Sequence, residues 1–372
     1  MYDIAVIGAG INGCSVAYEF AGAGKKVIIF DENSIAGGGS GAAGAFISPK
    51  FSKAGDLKDL LHDAFVYSME FYEKNFPQLL IKAPLLHIAQ DEESSEILKV
   101  YKSNTDFKLQ SPSTELLNSL NTEAKIKEKI YMTGGVVDAS AVCHAMAKSA
   151  RFIHEKVDDL VYDECMWIIN ETYSAKHVVL ATGAYKSVIK EPYIKLRGVW
   201  GHRIDVKTTT QNLNSIHQFV SISPSKDGAL AIGATHNVHY HPQTATTPYD
   251  LEEGRAELLE KALRTLKLEN VEILKDYTGL RSGSFDYLPI AGKLVISKET
   301  LAQKDINFKV KNPNYDDYSY YPNLTMINGS GGYGFVLAPY LAKMLKEYVL
   351  NDKKIDERVQ PARFFARWAK KL

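Results

Sequence analysis

The stretch MYDIAVIGAGINGCSVAYEFAGAGKKVIIFD, residues 1–31, predicts a strand, a glycine turn, a helix and a second strand. The apolar run at residues 4–7 is typical of a buried strand, and the pattern then predicts a helix over 11–22 and a strand over 26–30. Between the first strand and the helix, the spacing GxGxxG is met by Gly8, Gly10 and Gly13. We therefore expect a dinucleotide-binding fold at the start of the chain.

Each residue type in this motif has a physical role in holding a nucleotide. The first glycine makes the tight turn, the second lets the backbone approach a pyrophosphate, and the third lets the helix pack closely on the strand. The amides at the start of the helix point at the phosphates. Asp31 ends the second strand, about 20 residues after the glycines, where a carboxylate accepts hydrogen bonds from a ribose diol. An aspartate at this position favours an unphosphorylated ribose.

The composition limits the class of protein. The 372 residues allow two domains or one large discontinuous domain, and 44 basic side chains balance 44 acidic ones. Neutrality argues against a positive field over the whole surface, but it leaves room for a local patch. Cys14, Cys143 and Cys165 have no CxxC spacing, so we expect no disulfide, no zinc site and a reducing compartment. No apolar run has the length of a membrane helix and the first belongs to the nucleotide fold, so the expected location is the cytoplasm.

The middle of the chain alternates nucleotide-fold patterns with patterns of another kind. Small residues fill 36–55 and leave backbone free to touch a flat ligand. Apolar residues at helical spacing follow between Leu57 and Tyr72, and residues 85–133 indicate short strands separated by polar loops. Asp138 is expected to cap an amphipathic helix within 136–150.

Later stretches return to the nucleotide fold. In AKHVVLATGAY, residues 175–185, a buried strand ends in a turn of small residues where backbone can approach the nucleotide a second time, as in two-dinucleotide flavoproteins. Residues 195–240 indicate strands and 250–267 a charged helix. The last predicted elements are a strand at 324–327, the glycine turn NGSGGYG, a helix over 335–349 and a basic tail. A nucleotide fold that is left and re-entered indicates a flavoprotein with a substrate domain inserted in pieces.

Taken together, these residues resemble the D-amino-acid oxidase superfamily of FAD-dependent amine oxidases. The matching segments are GAGINGCSVAYEFAGAGKKVIIFD, GSGAAGAFISP, GGVVDAS, VVLATGAY, GLRSGSFDYLPIAG and INGSGGYGFVLAP, in the family's order. The resemblance implies an α/β fold in which an FAD-binding Rossmann-like domain of the GR2 (DAO) type carries an inserted antiparallel-sheet substrate domain. The implied segments are 1–55, 136–190 and 276–350 for FAD, 56–135 and 191–275 for the substrate or cap domain, and 351–372 for a basic C-terminal tail.

The resemblance also assigns candidate site residues. FAD is expected to bind non-covalently, because relatives with covalent flavin use a cysteine in the C-terminal part and this chain has none after Cys165. The catalytic candidates are Arg281, Gly332 and Tyr333. The cofactor-binding candidates are Gly8, Gly10, Ile11, Asn12, Gly13, Asp31, Glu32, Ser40, Gly41, Ala42, Ala43, Val157, Ala181, Thr182, Gly183, Arg281, Gly331, Gly332, Tyr333, Gly334 and Phe335. The substrate candidates are Lys50, His202 and Arg281.

Two branches of the superfamily compete for this chain. One contains the glycine and sarcosine oxidases, and the other is the FAD-dependent half of the tRNA wobble-uridine enzyme MnmC. The segments SPKFSKAGDLKDLLHDAFVYSMEFYEK, LRGVWGH, YDDYSYYPNL and QPARFFARWAKKL resemble the MnmC branch. Val199 stands where that branch favours Gln, and Ala42 where it often has Asn. Both branches act on an N-substituted glycine, in MnmC on a carboxymethylaminomethyl group at carbon 5 of the wobble uridine.

Flavin amine oxidation requires a carbon held at the flavin and a neutral amine nitrogen. The glycine-rich residues 331–334 and the helix after them would aim backbone amides at the flavin, unless they merely cap that helix. Arg281 corresponds to the carboxylate-binding arginine of glycine-oxidase-like relatives, and its guanidinium fork matches a carboxylate. A structural salt bridge from Arg281 to Asp286 or another core acid is the alternative.

The MnmC branch implies tRNA as partner and the aminomethyl nucleoside and glyoxylate as products. A wobble base must then leave the anticodon loop, and phosphates must meet cations or amides. In the tail, basic residues alternate with Phe364, Phe365 and Trp368, which either stack on bases or anchor the tail. Lys50 contacts the flavin or phosphate or is a surface lysine, and His202 lines the pocket or packs in the core.

Two expectations are negative, and one further class of protein stays open. His236, His239 and His241 have HxxHxH spacing on an expected strand, but no cysteine or clear carboxylate joins them, so we expect no metal. No membrane partner is expected. Besides the two kinds of oxidase, the chain fits a flavin-binding sensor without catalysis.

Overall fold

The computed structural model describes all residues from 1 to 372. The strands are β1 Tyr2–Ile7, β2 Val27–Asp31, β3 Phe46–Ile47, β4 Leu80–Ile88, β5 Lys129–Val137, β6 Arg151–His154, β7 Leu160–Asp163, β8 Met166–Ile169, β9 Tyr173–Leu180, β10 Leu196–Lys207, β11 Ser215–His217, β12 Ser221–Ile222, β13 Ala229–Gly233, β14 Glu272–Ser284, β15 Ile290–Val295 and β16 Tyr320–Asn328. The α-helices are α1 Ile11–Gly22, α2 Asp56–Asn75, α3 Glu92–Asn104, α4 Thr114–Ser119, α5 Thr122–Ile126, α6 Ala139–Ala147, α7 Leu251–Thr265, α8 Ser297–Ala302, α9 Gly334–Asn351 and α10 Ala362–Ala369.

The chain forms two compact units, each made from separate stretches of sequence. Unit 1 contains residues 1–38, 143–198 and 281–372, and unit 2 contains residues 39–142 and 199–280. The predicted α/β fold with an inserted, mainly antiparallel domain is confirmed.

Unit 1 contains a sheet of eight strands with a parallel centre. Strands β16, β9, β1, β2 and β6 lie side by side in parallel, and β15 joins β16 in the antiparallel sense. The central strands are buried on both faces because they are continuous apolar runs, as the predicted strands at residues 4–7 and 26–30 required. Helix α1 begins and ends at the predicted residues and packs against α9.

Unit 2 contains a second sheet of eight strands in the order β14-β10-β13-β12-β11-β4-β5-β3. Strands β3, β4, β5, β10, β11, β12 and β13 pair in the antiparallel sense, except that β4 pairs with β11 in parallel. One face of this sheet carries aliphatic side chains such as Leu86, Ile204 and Ile232, which are buried against residues of α4, α5 and α7. Because neighbouring residues of a strand point to opposite faces, the residues between these aliphatic positions form the second face.

Two sequence expectations about unit 2 were wrong in detail. Residues 85–133 contain the end of β4, helices α3 to α5 and the start of β5 rather than a series of short strands. These helices are short or polar, and their N-caps Asp91, Ser113 and Asn121, which receive backbone amides, identify them better than apolar periodicity does. The strand expected to carry His236, His239 and His241 ends at Gly233, so the three histidines lie outside regular strands.

Other element predictions are confirmed with small shifts in their bounds. Asp138 accepts a hydrogen bond from the amide of Ala141 in the first turn of α6, 2.9 Å away. The tail predicted to be either exposed or anchoring forms α10, whose Phe364 and Phe365 are buried in the core of unit 1. No helix has both the length and the apolar character needed to span a membrane. No group of three histidine, cysteine or carboxylate side chains is arranged to hold a metal ion.

Candidate functional site

The carboxyl edge of the parallel sheet in unit 1 aligns the two nucleotide motifs. Ile7 pairs in register with Phe30 on one side and with Leu180 on the other, and Leu180 pairs with Met326. The next residues along these strands are therefore Gly8, Asp31, Ala181 and Ile327, at one edge. Ligands of open α/β sheets bind outside the carboxyl ends of the strands, so this edge is the candidate nucleotide site.

The glycines of the first motif are required by close backbone contacts. Gly8 has φ of 109°, and a Cβ there would lie 2.3 Å from the carbonyl oxygen of Ala181. A Cβ at Gly13 would lie 1.9 Å from the carbonyl oxygen of Gly8. The first turn, the second turn and α1 thus touch each other through backbone atoms, and no side chain fits between them.

Asp31 fixes the turn that it was predicted to serve. Its carboxylate accepts hydrogen bonds from the amides of Ala9 at 2.8 Å and Asn33 at 2.9 Å. Two carboxylate oxygens have further lone pairs, and Asp31 is partly exposed, so the ribose-binding role is compatible with both bonds. Burial, followed by the charges of Asp31 and Glu32, raises the pKa of Tyr185. Val157, another predicted contact, lies in the buried core of unit 1.

Asn328 joins three segments of the candidate site. Its Oδ1 accepts hydrogen bonds from the Ser282 hydroxyl and the Gly329 amide, each at 2.8 Å, and its Nδ2 donates to the carbonyl of Gly183 at 3.0 Å. The side chain is fully buried. A single amide side chain therefore holds three segments together: the strand that carries Arg281, the turn at residues 181–183 and the glycine turn before α9.

The N-termini of helices α1 and α9 both suit an anionic ligand. Neither α1 nor α9 has a side-chain cap, so no side chain neutralises the positive end of either helix dipole. The Ser330 hydroxyl donates to Asn12 Oδ1 at 3.0 Å and connects the two N-terminal regions. A Cβ at Gly331 or Gly332 would meet nothing within 4 Å.

A dinucleotide fits this arrangement. Thr182 Oγ1 is buried and has no hydrogen-bond partner within the protein. A buried hydroxyl without a partner is costly, and a polar group of a ligand would satisfy it. The side-chain-free space at Gly331 and Gly332 and the open helix ends suit a flat ring and phosphates respectively. Gly8, Gly13, Thr182, Gly183, Gly331 and Gly332 are thus the residues of unit 1 that best fit FAD.

Arg281 lies one residue before Ser282 and so beside this site. Burial lowers the pKa of its guanidinium. Asp286, the predicted alternative partner, is instead bound by Arg363, whose Nε lies 3.0 Å from Asp286 Oδ2. Burial raises the pKa of Tyr333, which precedes α9 and is therefore a neutral hydroxyl at physiological pH. Tyr333 belongs to the glycine turn, and Arg281 is connected to that turn by the hydrogen bond from the neighbouring Ser282 to Asn328.

The second face of the unit 2 sheet carries a polar row that the sequence analysis missed. Register aligns His87 with His217, His217 with Ser221, Ser221 with Gly233, and Gly233 with Arg203. Five strands thus contribute one cross-strand row on one face. A Cβ at Gly233 would lie 2.8 Å from Arg203 Cγ, so the lack of a side chain at this glycine leaves room for the arginine.

The groups in this row are polar, buried and only partly paired. His87 Nδ1, His217 Nε2 and Arg203 Nε are buried and have no hydrogen-bond partner. Burial lowers the pKa of His87 to about 4, with help from the Lys50 charge, and that of His217 to about 3. Both imidazoles are neutral at pH 7, and the unpartnered nitrogen of each is a donor or an acceptor according to the tautomer. Lys50, predicted to contact ligand or solvent, therefore lies near this row.

Arg203 is fixed on the same face by three neighbours. Its Nη1 donates to the carbonyl of Ala43 at 2.9 Å, its guanidinium lies 3.9 Å from the ring centroid of Tyr277, and Nη2 lies 3.6 Å from Asp205 Oδ1. The predicted cofactor segment Ser40 to Ala43 belongs to unit 2, whereas the glycine turns belong to unit 1. Within unit 2 this segment is next to the polar row.

His202 lies on the opposite face and has a structural environment. It is fully buried, and its Nε2 is 2.9 Å from Asp276 Oδ1. Asp276 also pairs with Arg255 of α7, whose hydrogen bonds lower the Asp276 pKa to about 2. Gly254 of α7 packs directly on the imidazole. Of the two readings from the sequence, core packing agrees with this geometry.

The missed residues carried no local sequence signal. Asn328 was visible only as part of a glycine turn, and its three bonds join residues far apart in the chain. Arg203, His87 and His217 come together through strand register, which one sequence does not disclose. An alternation of polar residues on β10, at Arg203 and Asp205 between Ile204 and Val206, was the single available hint.

Known proteins are similar to this chain over most of its length. The model of the family described as FAD dependent oxidoreductase (DAO) matches residues 3–348. The bifunctional protein MnmC of Campylobacter concisus, named for tRNA 5-methylaminomethyl-2-thiouridine biosynthesis, is 28% identical over 395 aligned residues covering 98% of this chain and 60% of that protein. The chain thus spans 60% of the length of this relative.

Two further proteins define the other branch. Glycine oxidase of Bacillus licheniformis is 25% identical, over 78% of this chain and 84% of its own length. The crystal structure of glycine oxidase from Geobacillus kaustophilus superposes with a TM-score of 0.74 at 19% identity and covers 95% of both chains. The structural likeness establishes the common fold.

Proposed function

The chain belongs to the FAD dependent oxidoreductase (DAO) family, and we propose that it removes the carboxymethyl group from a 5-carboxymethylaminomethyl-uridine (with or without 2-thio substitution) at the tRNA wobble position. It is an FAD-dependent oxidoreductase acting on CH–NH bonds. When bound, FAD accepts the two electrons and the hydrogen that leave the C–H bond. The products proposed for this chain are glyoxylate and the 5-aminomethyl nucleoside.

The substrate change is chemically balanced. The methylene carbon between nitrogen and carboxylate loses a hydride, and the nitrogen loses a proton, which together give a C=N bond. Water then adds to this carbon, and the C–N bond breaks to release glyoxylate and a primary amine. The same fragment, an N-substituted glycine, occurs in the small-molecule alternative.

In this proposal the residues of unit 1 bind and orient. Gly8, Gly13 and Thr182 hold the dinucleotide, and the α9 N-terminus places its positive dipole end beside the ring space at Gly331 and Gly332. Arg281 binds the substrate carboxylate through its planar fork, and its reduced hydration strengthens that ion pair. The orientation of the reacting methylene then depends on Arg281 and on the position that Asn328 gives its strand.

The polar row of unit 2 supports a heterocyclic substrate. A uracil ring presents carbonyl acceptors and an N–H donor along its edge, and neutral His87 and His217 offer both kinds of group. Arg203 adds a cation with a fixed plane. A free amino acid such as glycine has no use for so long a row, which extends over five strands or about 19 Å at 4.8 Å per strand.

The extent of the two sequence similarities favours the tRNA branch. The similarity to MnmC of Campylobacter concisus covers 98% of this chain, whereas that to glycine oxidase of Bacillus licheniformis covers 78%. An alignment that leaves out only 2% of the chain includes most of the C-terminal segment with α10. This coverage is the observation that carries the choice of tRNA over a free amino acid.

A glycine or sarcosine oxidase is the second candidate. The similarity to a glycine oxidase at 25% identity and the common fold with another favour it. In that case Arg281 would bind the carboxylate of the free amino acid.

Mass analysis of tRNA nucleosides separates the two candidates. The holoprotein is incubated with tRNA from cells that lack this oxidation step, and glycine and sarcosine are assayed in parallel. Loss of the carboxymethylaminomethyl nucleoside with gain of the aminomethyl nucleoside is expected. Unchanged tRNA together with hydrogen peroxide or flavin reduction from glycine or sarcosine would contradict the proposal.

A further inference from the structure

The loop between β14 and β15, residues 285–289, exposes two aromatic side chains. Phe285 is 60% exposed and Tyr287 is 62% exposed. No other phenylalanine, tyrosine or tryptophan side chain of the chain is exposed. Large aromatic side chains left in water are unusual, since burying them is worth several kcal/mol in a core.

Hydrogen bonds from Arg363 and Ser284 fix the conformation of this loop. Arg363 of α10 donates to both carboxylate oxygens of Asp286, at 3.0 and 3.2 Å, and to the carbonyls of Leu288 and Pro289 at 2.9 and 3.0 Å. The Ser284 hydroxyl adds a bond to Leu288 O at 2.7 Å. Burial alone would raise the Asp286 pKa, but Arg363 keeps it below its usual value, so Asp286 stays ionised. The exposed aromatic pair is therefore preorganised rather than flexible.

The surroundings of the pair are positively charged. The Arg197 guanidinium lies 5.3 Å from the Tyr287 ring centroid. Arg367 is 60% exposed on α10 and lies 3.8 Å from Asp286. Arg363 and Arg367 bring two positive charges to the single carboxylate of Asp286, so this cluster keeps a net positive charge. Lys370 and Lys371 follow it at the exposed end of the chain.

We propose that Phe285, Tyr287, Arg197 and Arg367 form a platform that binds unpaired nucleotides of an RNA loop. The inference rests on the proposed tRNA function and names the surface that grips the RNA. Aromatic faces stack on bases of any sequence, and arginines contact phosphates or extend the stack. A protein or lipid partner would not require the cations, whereas a polyanion with flat bases uses both kinds of group.

The position of the platform fits a loop whose modified base enters the site. Phe285 follows Arg281 by four residues along the end of β14, or about 13 Å at 3.3 Å per residue. Stacked nucleotides of one strand rise about 3.4 Å each, so this distance corresponds to about four nucleotides. An anticodon loop with its modified base at Arg281 would thus place a base about four nucleotides away over Phe285.

Binding of a labelled 17-nucleotide anticodon stem-loop to the holoprotein tests the platform. F285A/Y287A should weaken binding at least tenfold, since one base stacked on an aromatic ring accounts for about 5- to 150-fold. F285W/Y287W keeps the aromatic faces and should retain binding. R367A should weaken binding and lower the slope of log affinity against log salt by about one. L213A and R264A alter an exposed apolar side chain and an exposed paired arginine of unit 2, and should bind like the wild type.

The assay is paired with turnover so that the two proposals fail separately. In every variant, flavin absorbance and the rate of reduction by the free 5-carboxymethylaminomethyl-uridine nucleoside should equal those of the wild type. If the wild type modifies tRNA and F285A/Y287A binds the stem-loop equally well, the platform is overturned and the proposed function stands. If the wild type neither binds nor modifies tRNA, the proposed function itself fails. A wild-type dimer that F285A/Y287A converts to a monomer would show a contact between copies and also overturn the platform.

Discussion

Single atoms decide where a glycine is indispensable in this chain. Gly13 and Gly22 both belong to α1, and helix propensity alone treats them alike. A Cβ at Gly13 would lie 1.9 Å from a backbone carbonyl oxygen, whereas a Cβ at Gly22 would meet nothing within 4 Å. The third glycine of the GxGxxG pattern is therefore required by a backbone contact in the fold.

Gly13→Ala is expected to abolish FAD binding and lower the free energy of unfolding by more than about 3 kcal/mol, because two backbones must separate. Gly22→Ala should retain FAD and gain up to about 1 kcal/mol from lower backbone entropy in the unfolded chain. Flavin absorbance of the purified proteins and urea unfolding measure both effects. A yellow, stable G13A variant would contradict the assignment of the turn.

Replacement of Arg281 tests the substrate carboxylate contact. R281M is expected to lower kcat/KM by about 10²- to 10³-fold, since an unpaired buried carboxylate costs about 2–5 kcal/mol. R281K retains a charge without the fork and should lie between R281M and the wild type. Rapid-mixing flavin reduction under anaerobic conditions gives the rates, and the FAD content should stay unchanged. Equal rates for all three proteins would remove Arg281 from the site.

At the scale of elements, turns and strands are held together by side chains between them. Asn328 bonds to residues that follow β9, end β14 and precede α9. His202, Asp276 and Arg255 similarly fasten β10 and β14 to α7. These polar contacts set the position of the candidate site residues more directly than the apolar core does.

Asn328→Ala is expected to weaken FAD binding about tenfold or more, because three hydrogen bonds of about 0.5–1.5 kcal/mol each are lost. Ser282→Ala removes only one of them and should have a smaller effect. Asn75→Ala, which loses a bond to the Phe71 carbonyl in α2, is the control. Titration of the apoproteins with FAD, followed by quenching of flavin fluorescence, ranks the variants. Equal affinities for N328A and the wild type would show that the three segments hold their positions without this amide.

The sequence predicted those elements whose signal is local. β1, α1 and β2 follow from an apolar run and glycine spacing, and Asp138 from its capping position. The polar row did not follow, because His87 and Arg203 meet only through the register of five strands. The exposed loop was also hidden, since FDYLP resembles a buried segment until Arg363 is seen to bind Asp286.

At the scale of the molecule, the charged and the neutral candidate groups belong to different units. The chain has no net charge, yet α10 and the loop at 285–289 concentrate arginines and exposed aromatics in unit 1. Unit 1 has the nucleotide turns and Arg281, and unit 2 has the neutral histidines. A nearly neutral protein can therefore present a cationic surface of limited area.

Three buried histidines make the stability depend on mild acid. Burial lowers the pKa of His87 and His177 to about 4 and that of His217 to about 3. These pKa values lie below the ordinary 6.5, so unfolding takes up protons once the pH falls below about 6.5. The free energy of unfolding should therefore decrease by about 1.4 kcal/mol per pH unit for each histidine between about pH 6 and 4.5.

His217→Asn should reduce that slope by about one histidine's share. Urea unfolding at fixed FAD concentration and several pH values measures the slopes. Parallel curves for H217N and the wild type would contradict a neutral His217.

Anaerobic flavin reduction by defined RNAs tests the central claim most directly. The holoprotein is mixed with tRNA that carries the carboxymethylaminomethyl group, with the same tRNA lacking it, and with free glycine or sarcosine, while flavin absorbance is recorded. Of these substrates we predict rapid bleaching with the modified tRNA alone, because only it carries both the N-substituted glycine that Arg281 binds and the RNA loop that the platform binds. Bleaching by glycine or sarcosine, with none by the modified tRNA, would contradict the account and assign the chain to the small-molecule amine oxidases.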